Sequence, residues 1–359
     1  MISIDGSLGE GGGQVLRSAL SLSILTGQPF SIENIRAGRK KPGLMAQHLA
    51  CVDAAAAISR ARVQGAARGS RALQFEPGEI RSGRYEFLIP TAGSACLVLQ
   101  TIFYPLSAAS SASTVSIVGG THVAWSPSYH DLELAWLPTL EQIGFDARMQ
   151  LLQAGFYPEG GGRIISTIRP AGPIQPLTLL ERGRLLKLQG LSMVANLPVS
   201  IAERQRRQAI RRLESVRLRS KQAGLRDLPA ARIKIIELAA RFKGTCLLLL
   251  AEFEHSLASF YGLGALGKPA EKVADEAMDQ LLDFLACEAA VDRYLSDQLL
   301  LPLSLANEPS RLSTQSVTTH LRTNAAILES FLPVRIEIEG MLGQPGSVKI
   351  EPNARSSQP

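Results

Sequence analysis

Ile2 and Ile4 alternate with polar neighbours, and then the apolar spacing changes, with Leu16, Leu20 and Ile24 recurring every fourth residue. Opposite them Gln14, Arg17, Ser18 and Ser21 fall at i, i+3, i+4 and i+7. A period of two giving way to one near 3.6 predicts a strand, a turn and an amphipathic helix. The same succession returns at 85–89 followed by 91–100, and again where Val317 leads through Thr318, Thr319 and His320 into an apolar run. A further helical run covers 44–58, and strands are predicted over 163–168, 185–194 and 245–253. The chain therefore reads as α/β, built from repeated units. Their helix starts carry Gln14 and Arg17, then Gln100, then His320, and are expected to face one anion.

The first turn holds a single carboxylate among glycines, Asp5-Gly-Ser-Leu-Gly-Glu10-Gly-Gly-Gly-Gln14. Glycines let backbone N–H groups approach a ligand closely, and the helix start behind them favours negative charge. Glu10 beside the stripe led by Arg17 would suit a phosphate with its metal ion; an ordinary tight turn before a helix reads equally well from the glycines alone. The next segment, Arg36-Ala-Gly-Arg39-Lys40-Lys41-Pro42-Gly43, puts four cations into six positions, with Gln47 and His48 just beyond. Guanidinium forks suit phosphate oxygens. A solvated basic loop is the plain alternative, but its place after a glycine-rich turn favours a shared polyanion site.

Composition narrows the class without deciding it. A chain of 359 residues with 45% hydrophobic content can fill two domains. Cys51, Cys96, Cys246 and Cys287 are scattered, which predicts reduced thiols in a cytoplasmic protein. No signal peptide is evident, and the apolar run at 246–251 is too short to cross a bilayer. His48, His122 and His130 match no zinc spacing. Between Glu181 and Gly224 eleven Lys/Arg face three Glu, more than the net +6 of the whole chain. That stretch includes a helix with Ile210 and Leu213 inward, and its basic face is either an RNA contact or a solvated surface. With aromatic residues at 5%, broad base stacking is not expected.

Five motifs in order resemble the RNA 3′-terminal phosphate cyclase family: Glu10-Gly-Gly-Gly-Gln-Val-Leu-Arg17-Ser, Ile35-Arg-Ala-Gly-Arg-Lys-Lys-Pro-Gly43, Gly119-Gly-Thr-His-Val-Ala-Trp-Ser-Pro127, Gly155-Phe-Tyr-Pro-Glu-Gly-Gly-Gly162 and Tyr294-Leu-Ser-Asp-Gln298. The resemblance covers nearly the whole chain. It implies three βαβαββ-type repeats, as in enolpyruvyl transferases, forming a catalytic domain of 1–181 and 278–350. A smaller α/β domain at 182–277 is expected to be inserted before the last repeat, and 351–359 to be a polar tail.

The same resemblance assigns roles. His320, in a Thr-His-Leu-x-Thr-Asn context, would be adenylylated by ATP. AMP would pass to an RNA 3′-phosphate, and the ribose 2′-OH would close a 2′,3′-cyclic phosphate. Arg17, Arg36, Arg39 and Gln47 are the expected phosphate donors, and Glu10 the ligand of Mg²⁺ or Mn²⁺. Gln14 and Gln100 would contact the nucleotide. Tyr294 and Pro127 would sandwich adenine, within a Tyr294, Leu295, Ser296, Asp297, Gln298 segment whose Asp297 accepts the exocyclic amine. Without the resemblance, Tyr294 reads as a helix-face aromatic and Pro127 as a turn residue. The His122 segment departs from the family's more usual Asp or Asn after Gly-Gly-Thr, which leaves the nucleotide loop less defined. The expected partner is RNA bearing a 3′-phosphate, with no membrane and no obligate protein partner evident. A cyclase-like factor of ribosomal RNA processing and an enolpyruvyl transferase are the rival readings; Glu10, His320 and the arginine set weigh against the first, and a histidine nucleophile against the second.

Overall fold

The computed structural model describes residues 1–222 and 228–353, so the 354–359 part of the expected tail and the 223–224 end of the basic stretch lie outside the described residues. Three sheets share one connectivity. In the first repeat β1 (Ile2–Asp5), α1 (Gln14–Thr26), β2 (Phe30–Glu33), α2 (Ala46–Ser59), β3 (Arg62–Gln64) and β4 (Leu73–Glu76) give the order β1-β2-β4-β3. The second runs β5 (Arg84–Leu88), α3 (Ala95–Ser107), β6 (Ser113–Gly119), α4 (Tyr129–Asp131), a π-helical turn over Leu132–Trp136, α5 (Leu137–Gln142), β7 (Ala147–Gln153) and β8 (Gly162–Ile168), ordered β5-β6-β8-β7.

The third repeat opens on β9 (Thr178–Leu179) and is then interrupted. A separate sheet follows, from β10 (Leu185–Ala195), α6 (Val199–Gln222), β11 (Arg232–Glu237), β12 (Gly244–Phe253), β13 (Leu257–Leu263) and α7 (Ala270–Leu285). The repeat resumes with α8 (Arg293–Leu303), β14 (Ser310–Thr314), α9 (Thr319–Phe331), β15 (Val334–Glu339) and β16 (Gly346–Pro352), and its order is β9-β14-β16-β15. In each repeat the first two strands pair parallel and the later pairs are antiparallel. Three βαβαββ repeats with a smaller inserted α/β domain are thus read directly from the strand orders.

The insertion falls within the third repeat, between β9 and α8, rather than ahead of it, and α7 runs unbroken through residue 277 to Leu285. This also corrects the matching of units. The helix starting near His320 is the second helix of its repeat, the counterpart of α2, whereas α8 is the counterpart of α1 and α3.

Local chemistry sets the helix ends. Ser94 caps α3 by accepting from Leu97 N at 3.2 Å, and Thr318 caps α9 by accepting from Leu321 N at 3.0 Å. Asp292 caps α8 through Tyr294 N at 2.8 Å and Leu295 N at 3.0 Å. In β12 the period of two divides the apolar run. Leu247, Leu249 and Ala251 pack into the core under α6 and α7, while Cys246 and Leu248 face Ala154 and Phe156 of the repeats. The insert's sheet is therefore covered on both sides, and that is why this strand is apolar throughout.

Candidate active site

The first turn is folded so that two chain segments can approach it closely. Gly9 has φ +61°, and a Cβ there would lie 2.0 Å from Thr323 Oγ1; a Cβ on Gly13 would lie 2.4 Å from His48 Nε2. Only glycine admits both neighbours. Glu10 is thereby held against α9, with its Oε2 2.9 Å from His320 Nε2 and 3.4 Å from Arg39 Nη2. A shallow depression lined by Leu8, Glu10, Gly12, Gln14, Val15, His320 and Thr323 opens beside them.

The three first helices meet one another through polar side chains. Gln14 on α1 donates to both carboxylate oxygens of Asp297 on α8 at 2.7 Å. Gln100 on α3 donates to Gln298 Oε1 at 2.9 Å. Asn324 on α9 donates to the Asp297 carbonyl at 3.1 Å and accepts from Ser18 Oγ at 2.7 Å. Burial raises the Asp297 carboxyl above its ordinary value, while His320, Gln14, Asn324 and Arg17 pull it down.

The cations divide by role. No carboxylate among the described residues forms an ion pair with Arg17, and burial pushes its guanidinium below the ordinary value, offset in part by Cys51 and Asp297. It is a desolvated donor suited to an anionic ligand. Arg39 reaches Glu10. Arg36 does not join them, because its Nη1 donates to the carbonyls of Lys41 at 2.8 Å and Gly43 at 2.7 Å and so folds its own loop. Gln47 ties α2 to α3 by accepting from Ser94 N at 2.8 Å.

Beside Gln47, His48 is 8% exposed, and burial with Arg17 and Arg36 lowers it to about 3. Its Nδ1 accepts from Met45 N at 3.3 Å, so the neutral ring presents Nε2–H towards Gly13 and Arg17. Sequence reading gave no role to His48 or Asn324. The available signals were the pair Gln47–His48 at a helix start and the spacing of His320 and Asn324 by one turn.

The expected adenine segment splits. Tyr294 is 58% exposed and Pro127 half-buried. Tyr261 of the insert donates to the carbonyl of Ser126, next to Pro127, and its phenol is held well above its ordinary value by burial, then by Asp131, Cys246 and Tyr294 nearby. Leu295 and Ser296 turn inward instead. Leu295 joins the core, and Ser296 Oγ lies 2.7 Å from both the Asp292 carbonyl and Thr314 Oγ1.

On α6, Arg204 is paired with Glu271, and Arg212 with Asp275 and Asp279 of α7, so part of the basic stretch holds two helices together. His122 and His130 pair with each other at 2.9 Å, and no group of three His, Cys, Asp or Glu side chains suited to a metal occurs among the described residues. No helix among them is long and apolar enough to cross a membrane.

Comparison with known proteins gives the family. The family description RNA 3′-terminal phosphate cyclase matches residues 8–338. The RNA 3′-terminal phosphate cyclase of Ralstonia nicotianae is 45% identical over 340 residues, 94% of this chain and 93% of its own. That of Pseudomonas fluorescens is 46% identical over 94% of both chains, and that of Trichormus variabilis 44% identical over 92% and 94%. Among solved structures, the enolpyruvyl transferase NikO from Streptomyces tendae aligns with 98% of this chain and 82% of its own at 10% identity and a TM-score of 0.27, too slight a likeness to argue from. With the family description spanning both the Glu10 turn and the His320 helix, the chain belongs to the RNA 3′-terminal phosphate cyclase family.

Proposed function

We propose that this chain uses ATP to convert an RNA 3′-terminal phosphate into a 2′,3′-cyclic phosphodiester through a covalent histidyl–AMP. The observation that carries the reading is His320 Nε2 standing 2.9 Å from Glu10 at a glycine-rich turn flanked by Arg17 and Arg39. The lone pair of Nε2 attacks the α-phosphorus of ATP; the bond to the β-bridging oxygen breaks and pyrophosphate leaves. An oxygen of the RNA 3′-phosphate then attacks that phosphorus, the P–N bond breaks and His320 is restored. The ribose 2′-OH attacks the RNA phosphorus, gives up its proton and expels AMP.

The chain's own groups support each stage. Nε2 donates to Glu10 in this structure, so the Nε2 proton must pass to the Glu10 carboxylate, or the ring change to its Nδ1–H tautomer, before the Nε2 lone pair can attack. Arg17, Arg39 and the neutral His48 donor face the developing charge on phosphate oxygens. Glu10 is half-exposed and is a lone carboxylate, a donor set that suits Mg²⁺ or Mn²⁺ completed by phosphate oxygens. When bound, such an ion supplies neutralisation of phosphate charge. In this reading Asp297 and Gln298 take the adenine edge beside Tyr294 and Pro127, a role supported by their contacts with Gln14 and Gln100. A cytoplasmic setting belongs to this reading and is supported by the four free thiols.

The deciding experiment incubates the protein with α-labelled ATP and Mg²⁺, beside His320→Ala, on a denaturing gel. An acid-labile, alkali-stable label on the wild type alone supports the proposal. An unlabelled wild type that still binds ATP overturns it and moves a binding role in RNA processing to the front.

A further inference from the structure

The described chain holds few exposed aromatic rings, namely Trp125, Tyr157 and Tyr294 among its large exposed apolar side chains. Tyr294 has a place in the adenine pocket. Trp125 does not, yet it is the most displayed of the three, at 98% exposure. It also sits at φ +64°, a left-handed conformation that a bulky side chain adopts only against steric resistance.

The surroundings enforce that conformation from both sides. Upstream, Thr121 N and His122 N donate to Gly155 O at 2.8 and 3.0 Å, and Thr121 O accepts from Tyr129 N at 2.8 Å. Downstream, Ser126 Oγ donates to Val123 O at 3.2 Å, and the Ser126 carbonyl accepts from Tyr261 of the insert. An over-determined strained residue with both ring faces in solvent is what a ligand platform requires, and burial gives no other reason for it.

We propose that Trp125 is a stacking platform for a base near the 3′ end of the RNA substrate, an inference that rests on the cyclase reading above. Two residues further on, Pro127 lines the proposed adenine site, so a base on Trp125 lies beside the adenylate that its 3′-phosphate must reach. The bridge between His122 and Phe156 carries exposed Tyr157 on the neighbouring turn. That turn leans on Ala92 through Gly160, and Gly161 rests against Phe242, which is flanked by exposed Arg241 and Lys243. Rings with nearby cations form the sequence-tolerant surface that single-stranded RNA binds. ATP is the less suitable occupant, since its base already has Tyr294 and Pro127.

Fluorescence reads the contact directly, because the chain has two tryptophans and Trp136 is buried. Without ATP, titration with an RNA oligonucleotide ending in a 3′-phosphate is expected to quench the exposed Trp125 emission saturably, and ATP alone is not. Trp125→Asn, which suits the left-handed conformation, is expected to melt no lower than wild type while raising KM for RNA roughly tenfold and leaving labelling by ATP alone unchanged. Trp125→Phe restores most of the affinity. Quenching by ATP alone overturns the proposal, as does an oligonucleotide that binds and is cyclised with Trp125 unquenched. An oligonucleotide that neither binds nor is cyclised, with ATP labelling intact, overturns it together with the RNA-end reading.

Discussion

His320 Nε2 and Glu10 Oε2 lie 2.9 Å apart across 310 residues of chain, and the same oxygen faces Arg39. Glu10 thus has two duties in the proposed chemistry, to hold the imidazole before substrate arrives and to ligate the divalent ion afterwards. Glu10→Gln keeps a group that bonds the imidazole and removes the charge. The labelling rate is expected to fall about 100-fold or more, the scale of lost metal and charge assistance, with no recovery as Mg²⁺ or Mn²⁺ is raised. Initial rates of labelling across a metal titration decide it, and a wild-type rate at high metal would remove Glu10 from the metal site.

Gln14 gives both carboxylate oxygens of Asp297 a donor at 2.7 Å. Gln14→Ala leaves that buried carboxylate short of a partner, at a cost of about 1–3 kcal/mol at pH 7. The folded Asp297 carboxyl is raised above its ordinary value by burial, so its ionised form is the destabilising one. Below the ordinary carboxylate range it is protonated in both folded and unfolded chains, and the penalty of the substitution shrinks. Urea denaturation at neutral and acid pH measures both values; an equal loss at each pH would show that the Gln14 contact does not depend on the charge.

Helix starts and the glycine turn were legible because their signals are local: Thr318 before a helix, and glycines around one carboxylate. The pairing of repeats was not. β9 has two residues and no readable period, and the insert separates it from α8, so the Val317 unit looked like a third opening helix. The strand orders show instead that α2, α4 and α9 correspond, each with a histidine near its start at His48, His130 and His320. The arginine loop shows a second limit. Four clustered cations predict an anion site, but no pattern announces that Arg36, left-handed at φ +56°, turns its guanidinium to the Lys41 and Gly43 carbonyls. Leu295 and Ser296 were carried by their motif while their helix faces them inward.

Arg182 stands where the chain enters the insert. Its guanidinium lies 5.1 Å from the Phe253 ring and 4.9 Å from that of Phe284, and donates to the carbonyls of Phe284, Leu285 and Ala289 at the end of α7. Arg182→Ala removes the stacking and the donor to the Leu285 and Ala289 carbonyls, while the Phe284 carbonyl keeps Cys287 N, and is expected to cost about 2–4 kcal/mol. Arg182→Lys restores little, because an ammonium cannot span that geometry. Limited proteolysis should then cut within 286–290 in both variants ahead of other sites; wild-type resistance would assign the clamp to the rings of the core alone.

The paired histidines set an acid limit on stability. Thr121 Oγ1 is 2.8 Å from His122 Nδ1 and accepts from Gly155 N, so its own proton goes to His122. That leaves His122 Nε2–H to donate to His130 Nδ1 at 2.9 Å, an arrangement needing both rings neutral. Burial, then His130, lowers His122 well below its ordinary value, and burial lowers His130 to about 4. Unfolded histidines take up protons first as pH falls through about 6.5, so stability is full above that pH and is lost towards pH 4. For His130 the loss is on the order of 3 kcal/mol. Asp131 acts in the opposite sense, since burial raises its carboxyl to about 7 and its contribution is lost as pH rises. The comparison must therefore be made against His130→Asn, which keeps an acceptor for His122 and leaves Asp131 in place. Between pH 7 and 4.5 the wild type should lose on the order of 2–3 kcal/mol more than the variant, read from urea midpoints. Parallel curves would show that a protonated ring is accommodated in the fold and that the pair is not held neutral.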